Sequence, residues 1–295
     1  MELRRGLTPA QIRTAVRFAQ LANHEAGDFE ALIHRQLGNA DKALGSGGER
    51  GARPVVTGYS LSLLTVESRF QVPRIVQALQ RRGHGSLCFH GAPGTGKTAL
   101  AEHIAQALQR PLMIRQTSDI ASKYVGETEQ NMARMFDEAQ TEDAVLLLDE
   151  ADSFLRSRRL AERHYEVSEV NEMLQGMERF AGVFICTTNL FDDLDEAALR
   201  RFTFKLRFHE LKREQRERMF VAEALGGESH KLSDEQRARL AALDQLVPGD
   251  FAAVKRQVEI LGEAFDPDEF LSQLEGEHRV KPEVRQRRGI GFVRT

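Results

Sequence analysis

The sequence predicts an α/β fold built on a largely parallel sheet, followed by a smaller region made only of helices. Between residues 55 and 209, five short apolar runs alternate with segments whose apolar residues recur at helical spacing. Strands that alternate with helices along a chain form a largely parallel sheet, which the helices cover on both faces. After residue 209 only helical spacing remains. We therefore predict an α/β domain over residues 55–209 and a helical domain over residues 210–275.

Each predicted strand is a short apolar run, and each predicted helix has apolar residues at three- and four-residue spacing. The predicted strands are Ser86–His90, Leu112–Gln116, Ala144–Leu148, Gly182–Thr187 and Thr203–Phe208. The helices predicted between them include Thr98–Gln109, Thr128–Ala139 and Val167–Arg179. The helices predicted in the second domain are Arg213–Ala224, Arg237–Leu243, Asp250–Leu261 and a short segment after Pro267.

The chain outside these two domains has its own patterns. Residues 1–44 have helical spacing, and residues 45–54 contain four glycines, which is typical of a linker. Residues 276–295 are predicted as a C-terminal tail. Leu7–Ile12 resembles Leu246–Phe251, with the leucine and the proline shared. A short similarity of this kind proves nothing by itself, because proline is common at the start of helices.

Composition excludes several classes of protein. The net charge of −3 gives no support for a protein that binds nucleic acid. No apolar run approaches the roughly 18 residues that a membrane-spanning helix needs, and Met1–Arg5 leads into a polar segment rather than a signal peptide. Cys88 and Cys186 both stand in apolar runs, a pattern that gives no disulfide framework and no zinc site. We therefore expect a cytoplasmic protein without a membrane partner.

A phosphate-binding loop is the most specific motif in the chain. Residues 91–98, with the sequence GAPGTGKT, match the P-loop pattern, and they stand between an apolar strand and a helix as that motif requires. Glycines let backbone N–H groups surround phosphate oxygens, and the following helix adds the positive end of its dipole. The residues expected to bind the nucleotide are Gly91, Pro93, Gly94, Thr95, Gly96, Lys97 and Thr98. Lys97 is expected to reach the β- and γ-phosphates, and Thr98 to bind Mg²⁺.

Two acids follow the third predicted strand, and they complete the expected nucleotide site. Asp149 and Glu150 stand at the carboxyl end of that strand, where a parallel sheet presents side chains beside a P-loop. Asp149 is expected to bind Mg²⁺, because hard cations prefer oxygen ligands. Glu150 is expected to orient and polarise the attacking water. The alternative is that the two acids merely cap the end of a strand. The P-loop upstream makes this the weaker interpretation.

Three further motifs resemble those of the AAA+ ATPases. They are Asn189 at the end of a predicted strand, the Arg200–Arg201 pair, and residues 122–129 with the sequence SKYVGETE. The last segment looks like the pore loop of the AAA clade proper, the group that includes katanin, spastin and the proteasomal ATPases. The resemblance covers roughly residues 55–265. It implies a three-layer P-loop NTPase domain with a five-stranded parallel sheet, a small helical lid, and ATP hydrolysis with Mg²⁺.

The same resemblance assigns roles to these residues. Asn189 would hold the attacking water and sense the γ-phosphate. Arg200 and Arg201 would enter the site of a neighbouring subunit as arginine fingers, in a ring homo-oligomer that is usually a hexamer. A pore loop would grip an extended polypeptide through side-chain packing, with the residues Lys123, Tyr124 and Val125. A tyrosine packed against its own domain is the alternative.

Some positions depart from the family pattern or stay open. Many AAA+ lids carry an arginine where this chain has Ala252, and Lys255 or Arg256 stands about one turn later. Arg158 and Arg159 lie where a second pore loop would be, although a solvated charged loop explains them equally well. The similarity of Leu7–Ile12 to Leu246–Phe251 bears on the origin of the N-terminal segment. Residues 1–44 are either the remnant of an upstream AAA+ lid, in a tandem protein, or a helical adaptor segment.

These motifs together predict that the chain uses ATP to remodel protein substrates by threading them past pore loops. An ATP-dependent assembly switch or scaffold without translocation is the main alternative, because a fold and a nucleotide site do not fix the output. A nucleic-acid motor is a weaker one, since the sequence shows no basic domain. The expected partners are further copies of the chain, a polypeptide substrate, and an adaptor or upstream AAA+ module.

Overall fold

The computed structural model describes residues 63–124, 126–157, 164–263, 265–282 and 284, all of which lie in one compact unit that spans residues 56–295. The predicted N-terminal helical segment, the glycine-rich linker and most of the predicted C-terminal tail lie outside the described residues.

The α/β domain is built on a six-stranded sheet, in the order β1-β6-β2-β5-β4-β3. The strands are β1 (Thr65–Glu67), β2 (Gly85–Gly91), β3 (Leu112–Gln116), β4 (Val145–Asp149), β5 (Val183–Thr188) and β6 (Phe204–His209). Strands β2 to β6 are parallel, and each contains one of the five predicted apolar runs almost entirely. The prediction of five strands is wrong by one. Strand β1 pairs antiparallel with β6 at the edge, and three residues are too few to show a strand periodicity.

Ten α-helices lie among the described residues. They are α1 (Val72–Arg82), α2 (Lys97–Leu108), α3 (Thr117–Ile120), α4 (Glu127–Thr141), α5 (His164–Arg179), α6 (Glu196–Arg201), α7 (Arg213–Ala224), α8 (Asp234–Ala242), α9 (Pro248–Leu261) and α10 (Pro267–Arg279). Short 3₁₀ turns occur at Phe191–Asp193 and Ser229–Lys231. None of the helices within the described ranges is both long and apolar enough to span a membrane.

The sheet separates two hydrophobic cores, as expected for a parallel sheet with both faces covered. Successive residues of β4 face opposite sides, so that Leu146 and Leu148 enter one core while Val145 and Leu147 enter the other. Helices α4 and α5 pack together over the first core, which also contains both cysteines. This arrangement confirms the three-layer α/β architecture.

The helical region has a third core of its own. Phe220, Phe251 and Phe270 come from α7, α9 and α10 and are almost completely buried in it. Burial of one such ring contributes roughly 1.5–3 kcal/mol. A backbone hydrogen bond from Leu211 N–H to Leu246 O, at 2.8 Å, ties the start of this region to the segment before α9. That segment approaches the nucleotide site.

Candidate active site

The P-loop joins β2 to α2, and its glycines adopt conformations that other residues rarely tolerate. Gly91, Gly94 and Gly96 have φ values of 137°, 75° and 97°, all positive. At Gly91 a Cβ atom would also lie 2.1 Å from the carbonyl oxygen of Phe208 in the neighbouring strand β6. The sequence therefore needs glycine here both for the backbone turn and for close packing against the sheet.

Lys97 begins α2 and lies at the centre of the site. Its ammonium donates hydrogen bonds to Gly91 O at 2.7 Å, Ala92 O at 3.0 Å and Asn189 Oδ1 at 2.9 Å. The residue is 9% exposed, and burial lowers the pKa of its ammonium, an effect that the nearby carboxylates, Asp149 first, oppose. The structure thus brings the P-loop lysine and the predicted γ-phosphate sensor into direct contact.

The other predicted P-loop residues differ in how far they are buried. Thr95 is buried and donates from its hydroxyl to Ala92 O at 2.8 Å, which closes the loop on itself. Pro93 lies exposed at the loop tip. Thr98 is the second residue of α2, and its side chain is partly buried.

Asp149 and Glu150 lie at the carboxyl end of β4, between β3 and β5 in the sheet. Glu150 has a positive φ of 57°, which non-glycine residues adopt at some cost in strain. The main chain then turns sharply away from the strand, and the Glu150 side chain is exposed at the sheet edge. Backbone strain of this kind is common where a side chain is aimed at a reaction.

Thr187 is a site residue that the sequence analysis missed. Its hydroxyl donates to Asp149 Oδ1 and accepts a hydrogen bond from Glu150 N–H at 3.0 Å, although it comes from the neighbouring strand β5. Thr117 adds a third contact, from its hydroxyl to Glu150 O at 2.7 Å. The available signal was a threonine two residues before Asn189 on a buried strand, where a polar side chain needs a partner.

The side chains of this site fit the binding of Mg²⁺ and a nucleoside triphosphate. Asp149 and Thr98 offer the carboxylate and hydroxyl oxygens that Mg²⁺ prefers, and Lys97 offers a buried cation for phosphate. Mg²⁺ usually binds through one or two protein groups and substrate phosphates rather than in a protein cage. No cluster of three or more His, Cys, Asp or Glu side chains able to hold a metal occurs within the described ranges.

His90 is a second residue of the site that the sequence analysis did not single out. It immediately precedes the P-loop and stacks on Phe191, with the ring centroids 3.8 Å apart. Burial lowers the pKa of His90 to about 4, and the positive charge of Arg207 adds to this effect. The imidazole is therefore neutral at pH 7.

The two predicted arginine fingers are not equivalent. Arg201 bonds within its own subunit, from Nη2 to Glu178 Oε1 at 2.6 Å and from Nη1 to Ala197 O at 2.9 Å. Arg200 is 82% exposed, and its ion pair with Glu196 spans 3.8 Å within one turn of α6. Arg200 is therefore the better placed of the two to reach another subunit.

The predicted pore loop precedes α4 and presents its aromatic side chain to solvent. Tyr124 is 62% exposed, and Lys123 Nζ lies 5.1 Å from the centroid of its ring. This placement contradicts the alternative of a tyrosine packed into its own domain. Val125 and the predicted second pore loop, Arg158 and Arg159, lie outside the described residues.

The start of α9 contacts the P-loop from the helical region. Gly249 N–H donates to Gly94 O at 2.9 Å. Lys255 forms an ion pair with Glu223 of α7 at 2.7 Å, so its ammonium is engaged within the helical region. Ala252, at the position where many lids carry an arginine, has no charge to offer.

Comparison with known proteins finds one matching family model and several similar sequences. Residues 87–210 match the sequence model of the ATPase family associated with various cellular activities, AAA. Spastin of Drosophila melanogaster is 30% identical over 179 residues, which cover 58% of this chain and 23% of spastin. An uncharacterized AAA family ATPase of Sinorhizobium fredii is 36% identical over 129 residues, which cover 41% of this chain and 39% of that protein.

Two further matches are a viral protein and a solved structure. An uncharacterized protein of Acidianus two-tailed virus, ORF529, is 34% identical over 156 residues, which cover 46% of this chain and 29% of that protein. A chain from the structure of the Escherichia coli MS115-1 HORMA:CdnC:Trip13 complex has a TM-score of 0.56 at 19% identity, covering 75% of this chain and 97% of that one. At that identity the likeness shows the fold.

The chain thus spans less than half the length of the curated relatives named here. The family match nevertheless covers the P-loop, the two acids and Asn189 together. Residues 87–210 therefore carry an AAA domain, and the chain is similar to AAA ATPases that include spastin.

Proposed function

We propose that this chain hydrolyses ATP in the presence of Mg²⁺ and uses the energy to remodel protein substrates. The observation that carries the hydrolysis is the contact of Lys97 with Asn189, beside the Asp149–Glu150 pair. This arrangement joins a phosphate-binding cation, an amide that can orient water, and a carboxylate that can accept a proton.

Each residue of the site has its own role in ATP hydrolysis. Lys97 and the P-loop N–H groups hold the β- and γ-phosphates, and Asn189 and Glu150 orient a water in line with the bond that breaks. The water oxygen bonds to the γ-phosphorus, the bond from that phosphorus to the bridging oxygen breaks, and Glu150 takes the proton. Mg²⁺, held by Thr98 and Asp149, would neutralise charge that develops on the phosphates.

Arg200 completes this site only if a second copy of the chain places it there. Its exposure and its loose ion pair support such a role, because an arginine finger must leave its own surface. We therefore include a ring homo-oligomer, with six subunits as the working number, in the proposal. An adaptor or an upstream AAA+ module belongs to the same proposal.

Protein remodelling is supported by the exposed Tyr124 next to Lys123. An aromatic ring can pack against any extended polypeptide without reading its sequence. Movement of this loop during ATP hydrolysis would then pull the polypeptide. The rival function is an ATP-dependent scaffold, for which Tyr124 would have no task.

Phosphate release by the purified chain tests the hydrolysis directly. We expect Mg²⁺-dependent turnover in the parent, loss of nucleotide binding in Lys97→Ala, and binding without turnover in Glu150→Gln. Asp143→Asn, in the exposed turn at the opposite end of β4 from Glu150, serves as the charge-matched control for Glu150→Gln. Full turnover in Glu150→Gln contradicts the proposed mechanism.

A further inference from the structure

Residues 245–250, which include the first residues of α9 and are called the Gly249 segment, contact the P-loop. Gly249 N–H donates to Gly94 O at 2.9 Å, and a Cβ atom added at Gly249 would lie 2.9 Å from the Cα of Gly94. In the other direction, a Cβ at Gly94 would lie 3.2 Å from Cγ2 of Val247. Two glycines therefore allow the backbones of the helical region and the P-loop to touch.

This contact fixes more than the carbonyl of Gly94. The peptide unit between Gly94 and Thr95 is planar, so its C=O and N–H bonds point in opposite directions. A donor that holds Gly94 O consequently fixes the direction of the Thr95 N–H group. Backbone N–H groups of this loop are the donors that surround phosphate oxygens. The position of Gly249 is thus connected to the shape of the phosphate cradle.

One ammonium group, from the second residue after α10, holds the Gly249 segment in place. Lys281 Nζ donates to Gln245 O and to Asp250 Oδ2, each at 2.6 Å. The same Asp250 oxygen accepts a hydrogen bond from Val247 N–H at 2.7 Å, as an acid at the third position of a helix often does. Lys281 therefore contacts both sides of the segment that contains Gly249.

The Lys281–Asp250 pair lies largely out of water. The side chains are 19% and 12% exposed, respectively. Charge-assisted hydrogen bonds in such surroundings are stronger than those on the surface. Loss of Lys281 leaves the Asp250 carboxylate buried with its hydrogen bond from Val247 N–H but without a counter-charge, which favours a rearrangement of the segment that exposes it.

We propose that Lys281 is a positioning residue for the nucleotide site, which acts through Asp250 and Gly249 on the P-loop. The inference rests on the proposed binding of ATP and adds a residue about 30 positions beyond the segment it holds. Lys281 itself contacts no part of the P-loop among the described residues. Its effect is an increase in nucleotide affinity, because the cradle is held in one shape before the phosphate arrives.

Calorimetric titration of the whole chain with ADP tests this proposal. We expect Lys281→Met to raise the dissociation constant about 5- to 20-fold, a size typical of coupling between sites. Lys281→Arg keeps the cation and should stay within about threefold of the parent by the same scale. Arg239→Met is the matched control, because the bonds of Arg239 go to α10, with Glu275 at 2.7 Å, rather than to the Gly249 segment.

A second pair of variants keeps the test sharp if Lys281→Met folds poorly. Gly249 does not have a left-handed backbone, and the nearest atoms that the methyl group of Gly249→Ala would meet belong to the backbone of Gly94. It should weaken ADP binding by the folded protein, because the methyl group pushes the Gly249 segment away from the P-loop backbone. Gly276→Ala places the same methyl group in open space on α10 and should leave the affinity unchanged.

The outcomes separate this inference from the proposed function. If the parent binds no ADP, ATP binding itself is refuted. If the parent binds ADP and Lys281→Met and Gly249→Ala bind it equally well, the positioning role is refuted while ATP binding stands. Equal weakening by Lys281→Met and Arg239→Met also refutes it, because general loosening of the helical region would then explain the effect.

Discussion

The Lys97 ammonium donates a hydrogen bond to the Asn189 side-chain oxygen at 2.9 Å, and so connects the P-loop to the end of the neighbouring strand β5. The two residues are 92 positions apart in the chain. Parallel strands bring them together because the carboxyl ends of β2 and β5 meet at one edge of the sheet. A γ-phosphate bound by Lys97 would therefore lie within reach of the Asn189 amide.

The first prediction concerns Asn189. Asn189→Ala should lower kcat for ATP about 100-fold, because one preorganised group that acts on the transition state is lost. Nucleotide affinity should stay within about threefold, since Lys97 keeps its two carbonyl contacts. Steady-state turnover and ADP titration measure the two quantities. Gln175→Ala on the surface of α5 is the control, and an unchanged kcat in Asn189→Ala would remove Asn189 from the mechanism.

The second prediction concerns Thr187, which holds the two acids in place. Thr187→Val preserves shape but removes the hydrogen bonds to Asp149 and Glu150, so kcat should fall at least about tenfold. The free energy of unfolding should fall by about 1–3 kcal/mol. Thr128→Val is the matched control, because Thr128 is equally buried and accepts from Ser122 N–H. Both variants should lose stability, and only Thr187→Val should lose turnover per folded molecule.

The third prediction separates the two arginines. Arg200→Ala should leave stability unchanged, because its ion pair is exposed, but should lower turnover about 10³-fold in the assembled protein. Arg201→Ala should instead lower the free energy of unfolding by about 1–2 kcal/mol, because its bonds to Glu178 and Ala197 are lost.

Mixed assemblies test whether Arg200 acts on another subunit. Arg200→Ala subunits keep an intact site but lack the finger, whereas Glu150→Gln subunits keep the finger. Mixing the two should restore part of the turnover at the sites where an intact site meets an intact finger. An absence of any rescue across all mixing ratios contradicts a role between subunits.

The fourth prediction concerns pH and His90. The pKa of His90 falls from 6.5 in the unfolded chain to about 4 in the fold, mainly through burial and secondly through Arg207. His209 and Lys97 lower it further, and Asp192 opposes them. Because the unfolded state then binds more protons, His90 causes stability to fall as the pH drops from about 6.5 towards 4. Above pH 6.5 His90 has no such effect.

Urea unfolding of parent and His90→Phe at pH 7.5 and pH 5 measures this contribution. Phenylalanine keeps the stacking on Phe191 but cannot bind a proton. The parent should lose more stability between the two pH values than His90→Phe does. His230→Phe, at an exposed histidine in the helical region, should behave like the parent. An identical loss in parent and His90→Phe would show that His90 is not held neutral.

Much of the fold was predictable because its signals are local. The five parallel strands are apolar runs, and the P-loop is recognisable from glycines that must adopt positive φ. Strand β1 was missed because its three residues join the sheet by pairing with β6, which lies far from them in the sequence. The two acids and Asn189 were predictable because they stand at strand ends in the chain itself.

The supporting contacts were not predictable in the same way. Thr187 reaches Asp149 across a strand boundary, and Lys281 reaches Asp250 across the whole of α9 and α10. Neither pair has a spacing that sequence periodicity would mark. The unequal environments of Arg200 and Arg201 likewise depend on Glu178, which belongs to a helix that only the fold brings near.

ATP turnover with and without an unfolded polypeptide, in the parent and in Tyr124→Ala, tests the central claim most directly. The account predicts that polypeptide stimulates turnover in the parent, and that Tyr124→Ala keeps its basal turnover but loses the stimulation. Turnover that ignores polypeptide in both proteins would contradict remodelling by the Tyr124 loop and favour an ATP-dependent scaffold.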